Sequence, residues 1–558
     1  MIDISERVDF MWNKPSKRTA AVNSATEKNK KKMQKVANVD NYWKKEWKRP
    51  PVVLTEEQLA EVNEFWGKYS FAYKNDPIFQ EIFSYASGQF NPQYVSNGLN
   101  AYYLPRFYDD PNYHHAFHDK NYRDLLFHDV ACTTAVIRRI RGYFYDAQYN
   151  HLSYDAAISK LEEYVRTTGE KLIVKPTPGG GGNGISFIRP GDSKIQIAVM
   201  LDQIKNDDVI IEKFMKAHPS YAAANPSSLN SLRIITFLYE NSITVIGVLF
   251  RMGAVSKEVD NFTQGGVACG VNPDGTCMDY GIDHFGNRYD KHPSGFEFAG
   301  HKLPYVEEAV ELVKKLHWRI PQFKQMSWDV AVVEDGTPTL IEMNPRGDVA
   351  IYQAIGKLPF GEKTEQILDD YLLTMFFNVG ANDEWDYKEY HDHIVLTQYA
   401  GEDSIVNVPE QIEGKTVTHI ADGCFDSDKI KKIIIPGCVR SWSPKICLKS
   451  GAAAPEIVAL EDTRNISIPI PTIVAETTGN ASNTIRWEKI PEATSYYIYR
   501  MQEGCNRTFV KAVSSCVNTW TDYNVLDGVT YYYNVRAFNS ACNMLSGWGR
   551  PMPVKTKV

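Results

Sequence analysis

Apolar residues of TEEQLAEVNEFWGKY and PIFQEIFSYA, between Leu54 and Phe83, recur at helical spacing, with Thr55 placed as an N-cap and Glu56 and Glu57 in the first turn. An α-helical lead-in is predicted. Between about Asn100 and Asp386 the period switches repeatedly: KLIVKP, DVIIEKFM, LRIITFLY and ITVIGVLFR read as strands, and YVEEAVELVKKLHWRI reads as a helix. That alternation predicts an α+β domain of catalytic size. Past His393 the runs are short and β-rich, punctuated by Gly, Pro, Asn and Asp, which predicts an all-β appendage. The expected divisions are a basic, helical region over 1–95, a catalytic domain over 96–390, a β segment over 391–464 and a β-sandwich over 465–558.

Composition narrows the class. The chain has 558 residues, 43% hydrophobic and 23% charged, enough for several cores. Its net charge of −7 lacks the basic excess that non-specific phosphate-backbone binding needs, so no nucleic-acid partner is expected. No run of about 18 apolar residues exists and the N-terminus lacks a signal-peptide core, which predicts a cytoplasmic protein without a transmembrane segment. The first 50 residues carry 13 Lys/Arg against 6 Asp/Glu. Their run from Lys28 to Lys35 reads as a solvated helix face, or as an arm making peripheral contact with anionic lipid or with a polyanionic substrate. Nine scattered cysteines without C-x-x-C spacing read as reduced thiols.

Two segments carry chemistry. In KLIVKPTPGGGGNGISFI a strand ends at Lys175 and opens into glycines 179–182 and 184, where backbone N–H groups can approach phosphate oxygens. Lys175 shares a strand face with Ile173, which directs its ammonium inward toward an anion. There is neither a Walker A loop nor a dinucleotide fingerprint. The second segment, SWDVAVVEDGTPTLIEMNPRGD, reads as a hairpin with a two-residue turn at Asp335-Gly336. That register puts Asp329 opposite Glu342, with Asn344 two residues on and on the same face. Facing carboxylates repel unless a cation sits between them, and two carboxylates with an amide oxygen suit Mg²⁺ shared with substrate phosphates. One face then carries Trp328, Val330, Val332, Ile341 and Met343, and the acids' face adds Ala331, Val333 and Leu340. A register slip of one residue would undo the pairing. The histidines of YHHAFHDK, with His114 and His118 at i, i+4, lack the Glu of a zinc helix and read as structural or phosphate-proximal.

Taken in order with Glu212-Lys213-Phe214, Arg233, and Asn261 before Gly265-Gly266, these segments resemble the ATP-grasp superfamily. The likeness is to the sugar-transfer-associated ATP-grasp family, with glutamate-ligase-like relatives, and it spans roughly Phe79 to Leu373. It implies that Lys175 contacts the α- and β-phosphates, that Lys120 in DKNYRDLL is the earlier nucleotide-binding lysine, and that Gly180, Gly181 and Gly182 belong to a mobile phosphate loop. It further implies that Glu212, Lys213 and Phe214 form the hinge for adenine and ribose, that Arg233 steadies an acyl phosphate, and that Asn261 lies in the substrate loop. Asp329, Glu342 and Asn344 match its magnesium ligands, the trio the hairpin register reaches by itself.

The expected fold is therefore an α+β ATP-grasp core with a helical lead-in and an all-β C-terminal appendage. The expected activity is ATP- and Mg²⁺-dependent ligation of a carboxylate to an amine through an acyl phosphate, in making or modifying a cell-surface glycan. Expected substrates are a small-molecule carboxylate and an amine or glycan-linked acceptor. A sugar kinase, or a scaffold with a degenerate fold, is the alternative. In the appendage, GKTVTHIADGCFDSDKIKKIIIPGCV resembles a BspA-type leucine-rich repeat. The segment from about Pro469 resembles a fibronectin type III module, with Trp487 as its core tryptophan and Tyr531, Tyr533 and Val535 inward. Both imply docking to a protein or glycan.

Overall fold

The computed structural model describes residues 17–47, 53–109, 111–177, 184–204, 208–239, 242–255, 257–258, 262, 265–345, 347–374, 376–442, 444–447, 455–459, 468–477, 482–502, 505, 507–526, 528–539 and 544–556. They form two compact units, one of Val36–Val62 with Asp76–Thr364 and the other of Met1–Lys35, Asn63–Asn75 and Glu365–Val558. Among the described residues no helix is long and apolar enough to cross a membrane. All eight described cysteines are free thiols.

The unit containing 76–364 is built on two antiparallel sheets. The six-stranded sheet comprises β1 (Ala135–Ile140), β2 (Tyr143–Asp146), β3 (His151–Leu152), β4 (Leu172–Pro176), β5 (Ser186–Ile188) and β6 (Val209–Lys213), in the order β3-β2-β1-β6-β4-β5. Ser153 caps the helix Tyr154–Thr168 by accepting from the Ala156 N–H, and Gly169 ends it in the left-handed region. Ser193 and Gln196 form a capping box on the helix Lys194–Gln203. These two helices cover one face of the sheet, burying Leu161, Val165, Ile197 and Leu201 against Val174, Val209 and Ile211. The opposite face is left for Ile173, Lys175, Ile210 and Glu212, because alternate strand residues point to opposite sides.

The seven-stranded sheet comprises β7 (Ser231–Tyr239), β8 (Ser242–Met252), β9 (Val267–Val271), β10 (Cys277–Asp283), β11 (Arg288–Tyr289), β12 (Gln325–Val332) and β13 (Pro338–Pro345), in the order β11-β10-β9-β8-β7-β12-β13. Helix Val306–His317 packs Val306, Ala309, Val313 and Leu316 against Ile234, Phe250, Trp328 and Val330. Arg233, Arg251, Asp329 and Glu342 stand on its other face.

The β12–β13 hairpin corrects the expected turn. Its connection is a three-residue loop, in which the Gly336 N–H and the Val333 N–H donate to the carbonyls of Val333 and Thr337, and Gly336 adopts φ +90°. That loop pairs Val330 with Leu340, one residue out of the expected register, until a bulge between Asp329 and Val330 restores the pairing of Asp329 with Glu342. Leu340 consequently joins Trp328, Val330 and Met343 in the core, not the acids' face. A second bulge, between Ile235 and Thr236, shifts β8 against β7 so that Arg233 faces Leu249 and Ser231 faces Arg251. Arg251 thereby lies on the Arg233 face.

The other unit is described by itself. A sheet runs through Asn378–Ala381, Trp385–Glu389, His393–Tyr399, Lys415–Ile420 and Gln411–Ile412, so β structure already begins ahead of residue 391. Short strands Ile405–Asn407, Lys432–Ile435 and Glu456–Ala459 stack in parallel and bury Val406, Ile433 and Ile435. C-terminal to them, a three-stranded and a five-stranded sheet enclose Trp487, Tyr496, Tyr531, Tyr533 and Val535, with the Trp487 and Tyr496 rings 5.3 Å apart. At the N-terminus, the Lys28–Lys35 run lies within the helix Lys17–Glu46.

Candidate active site

Lys175 extends from β4 beside Glu212 of β6, with Nζ 2.7 Å from Glu212 Oε2. Glu212 is fully buried. Its Oε1 accepts from Arg123 at 2.5 Å and from the Thr133 hydroxyl. Burial alone would raise the Glu212 carboxyl, yet the Lys175 and Arg123 cations hold it well below the usual carboxylate range. Glu212, expected to serve adenine and ribose with Lys213 and Phe214, is thus the counter-ion of Lys175. Lys213 is exposed at the strand end, on the other face, with Nζ 5.9 Å from the Tyr164 ring centroid. Phe214 packs its ring 6.2 Å from that of Phe187, beneath the Lys171 ammonium at 3.9 Å.

On the seven-stranded sheet Asp329 stands directly opposite Arg233 on one side and Glu342 on the other. Arg233 grips Asp329 with two hydrogen bonds of 2.7 Å, from Nε to Oδ1 and from NH2 to Oδ2. Arg251 adds a third to Oδ2 at 3.2 Å. Burial would raise the Asp329 carboxyl, and the two guanidinium groups hold it low. Glu342 is more open and pairs with Lys120 at 3.0 Å. Its charge also acts on Arg123 and Arg233, so the two sheets share one electrostatic site. Asn344, opposite Ser327, keeps a buried Nδ2 without a partner among the described residues.

Five cations, Lys120, Arg123, Lys175, Arg233 and Arg251, thus surround three carboxylates. The surplus is positive and suits a polyphosphate. Asp329, Glu342 and Asn344 lie on one sheet face and are hard-oxygen donors of the kind Mg²⁺ takes, with both Asp329 oxygens held by Arg233 and Glu342 held by Lys120. Among the described residues no cluster of three or more His, Cys, Asp or Glu side chains could hold a metal. The ring of His114 instead packs against Phe323, with centroids 5.4 Å apart.

Gly180, Gly181, Gly182 and Asn261 lie outside the described residues. Glu258, three residues before Asn261, is held by two cations. Glu258 pairs with Lys171, just before β4, at 2.5 Å and with Arg189, just after β5, at 2.7 Å. Arg123, Thr133 and Arg251 escaped the sequence reading. Arg123 lies three residues after Lys120, one helical turn on, which was a usable signal. Arg251 needed the β8 bulge, and Thr133 left no signal in the sequence.

Residues 99–367 match the family model described as sugar-transfer associated ATP-grasp. The matched region contains every site residue above and is slightly shorter than the span Phe79–Leu373 expected from the motifs. The match is consistent with an ATP-dependent, ligase-like activity. No curated protein matches the chain. Solved structures similar to part of it include an Fn3-like protein from Clostridium thermocellum, at 21% identity over 16% of this chain and 91% of that one, with a TM-score of 0.14. The fn3 domain of human contactin 1 aligns at 22% identity over 16% of this chain and 77% of its own, with a TM-score of 0.14. The fn3 domain of the human collagen alpha-1(XX) chain aligns at 15% identity over 16% and 85%, with a TM-score of 0.15.

Proposed function

We propose that the protein is an ATP- and Mg²⁺-dependent carboxylate–amine ligase. The supporting observation is the in-register Asp329–Glu342 pair, set among Lys120, Lys175, Arg233 and Arg251 within a region that matches an ATP-grasp model. In this reading the γ-phosphoryl group passes from ATP to a substrate carboxylate: a carboxylate O–P bond forms, the bond to the β-phosphate oxygen breaks, and ADP leaves. An amine then attacks the acyl carbon, the C–N bond forms, and phosphate departs. Lys175 and Lys120 bind phosphate oxygens, while the glycines at 180–182 cover them. The Lys213-Phe214 segment borders the adenine, Arg233 steadies the acyl phosphate, and Asn261 orients the substrate. Asp329, Glu342 and Asn344 would hold Mg²⁺, which when bound neutralises charge on the transferring group. The residues' share of catalysis is orientation and charge placement, and no protein nucleophile is required.

The words sugar-transfer in the family's description support a glycan-linked acceptor in cell-surface or exopolysaccharide assembly, with the reaction on the cytoplasmic side and the β-rich unit docking a glycan or protein. The basic N-terminal helix would rest on anionic lipid. The test is ADP release by the full chain with Mg·ATP against amino acids and sugar acids, with and without an added amine. Amide formed only when the amine is present supports the ligase. A phosphorylated sugar would replace it with a kinase, and equal Mg·ATP binding by wild type and Glu342→Ala would favour a scaffold.

A further inference from the structure

Arg123 is 3% exposed and touches both halves of the cleft. Its NH2 donates to Glu212 Oε1, the carboxylate that anchors Lys175 on the six-stranded sheet. Its NH1 donates to the carbonyl of Ile341, the residue adjoining Glu342 at the hairpin bulge on the seven-stranded sheet. We infer that Arg123 is a positioning residue that couples the phosphate-binding lysine to the metal-binding carboxylates, an inference that rests on the ligase reading above.

Two physical effects carry it. The first is geometric. With Arg123 and Thr133 on Oε1, the Glu212 carboxylate is rotated so that Oε2 meets Lys175. The same planar guanidinium fixes the peptide plane of Ile341, and hence the direction in which Glu342 leaves the strand. A lysine, with its single point of charge, can serve one of these contacts but not both. The second effect is electrostatic. Lys175 and Arg123 against Glu212 leave one net positive charge in a poorly solvated place, where charge acts strongly. Without Arg123 the Lys175–Glu212 pair is neutral and attracts a polyphosphate less.

The test measures two quantities on the full-length chain: Mg·ATP affinity at saturating Mg²⁺, and the Mg²⁺ concentration that gives half-maximal ATP binding. Arg123→Met is expected to weaken ATP about tenfold and also to raise the Mg²⁺ midpoint. Lys175→Met should weaken ATP alone, and Glu342→Gln should move mainly the Mg²⁺ midpoint. Should Arg123→Met fail to fold, Arg123→Lys supplies the reading and is expected to rescue one shift but not the other. A folded Arg123→Met variant that moves only one quantity, or neither, or a folded Arg123→Lys variant that moves both or neither, overturns the coupling while leaving the ligase reading intact. A wild type that binds no Mg·ATP overturns both.

Discussion

Arg233 and Asp329 face each other on adjacent strands and are joined by two parallel hydrogen bonds of 2.7 Å, with Arg251 closing on the same carboxylate. Two cations on one buried acid make Asp329 a structural as well as a chemical residue. Asp329→Asn is expected to lower the unfolding free energy by about 3–5 kcal/mol, because it leaves two guanidinium groups uncompensated. Adding Arg233→Met should recover part of that loss, and a denaturant double-mutant cycle checks the coupling.

Deletion of Ile341 removes the bulge that returns β13 to register. Glu342 would then follow Leu340 directly and stay opposite Asp329, on the acids' face, in an unbulged ladder. The deletion should therefore retain Mg·ATP binding, whereas Glu342→Ala, which removes the carboxylate, should lose it. Calorimetric titration distinguishes the two.

Gly336→Ala strikes the same register from the turn. Gly336 has φ +90°, and an added Cβ would stand 2.5 Å from Tyr305 Cζ. Left-handed strain and overlap together should cost about 2–4 kcal/mol. Thermal melting reads the loss, and the Mg²⁺ midpoint should rise in the surviving folded fraction.

The Glu258 tether predicts a pH response. Hydrogen bonding from Arg189 first, with Lys171 adding to it against partial burial, lowers its carboxyl to about 2. A folded-state value below the ordinary one means the tether contributes fully above the ordinary carboxylate range and is lost as pH falls toward about 2. Because the pair is partly exposed, Glu258→Gln should cost under about 1 kcal/mol. It should instead speed proteolysis between residues 253 and 266 at neutral pH, and high salt should mimic the variant.

Much of the fold was legible because periodicity is local. The helices Glu56–Gly67 and Ile78–Ser87, strands β4, β6, β7 and β8, and the helix Val306–His317 lie where alternation or 3.6-residue spacing put them. The Asp329–Glu342 pairing was also legible, though by cancellation: a loop one residue longer than Asp335-Gly336 implied is offset by one bulged residue. Leu340, between the two irregularities, shows the cost, since it faces the core and not the acids.

What the sequence by itself determined is which segments alternate, where turns fall, and which residues bring charge to strand faces, since each depends on neighbours a few positions away. Only the tertiary structure decided that Glu212 would be the buried anchor of Lys175, that Arg251 would join Arg233 on Asp329, and that Arg123 would span the two sheets. A buried charge settles where distant strands bring an opposite charge within hydrogen-bonding reach, and strand register, with its bulges, sets that distance.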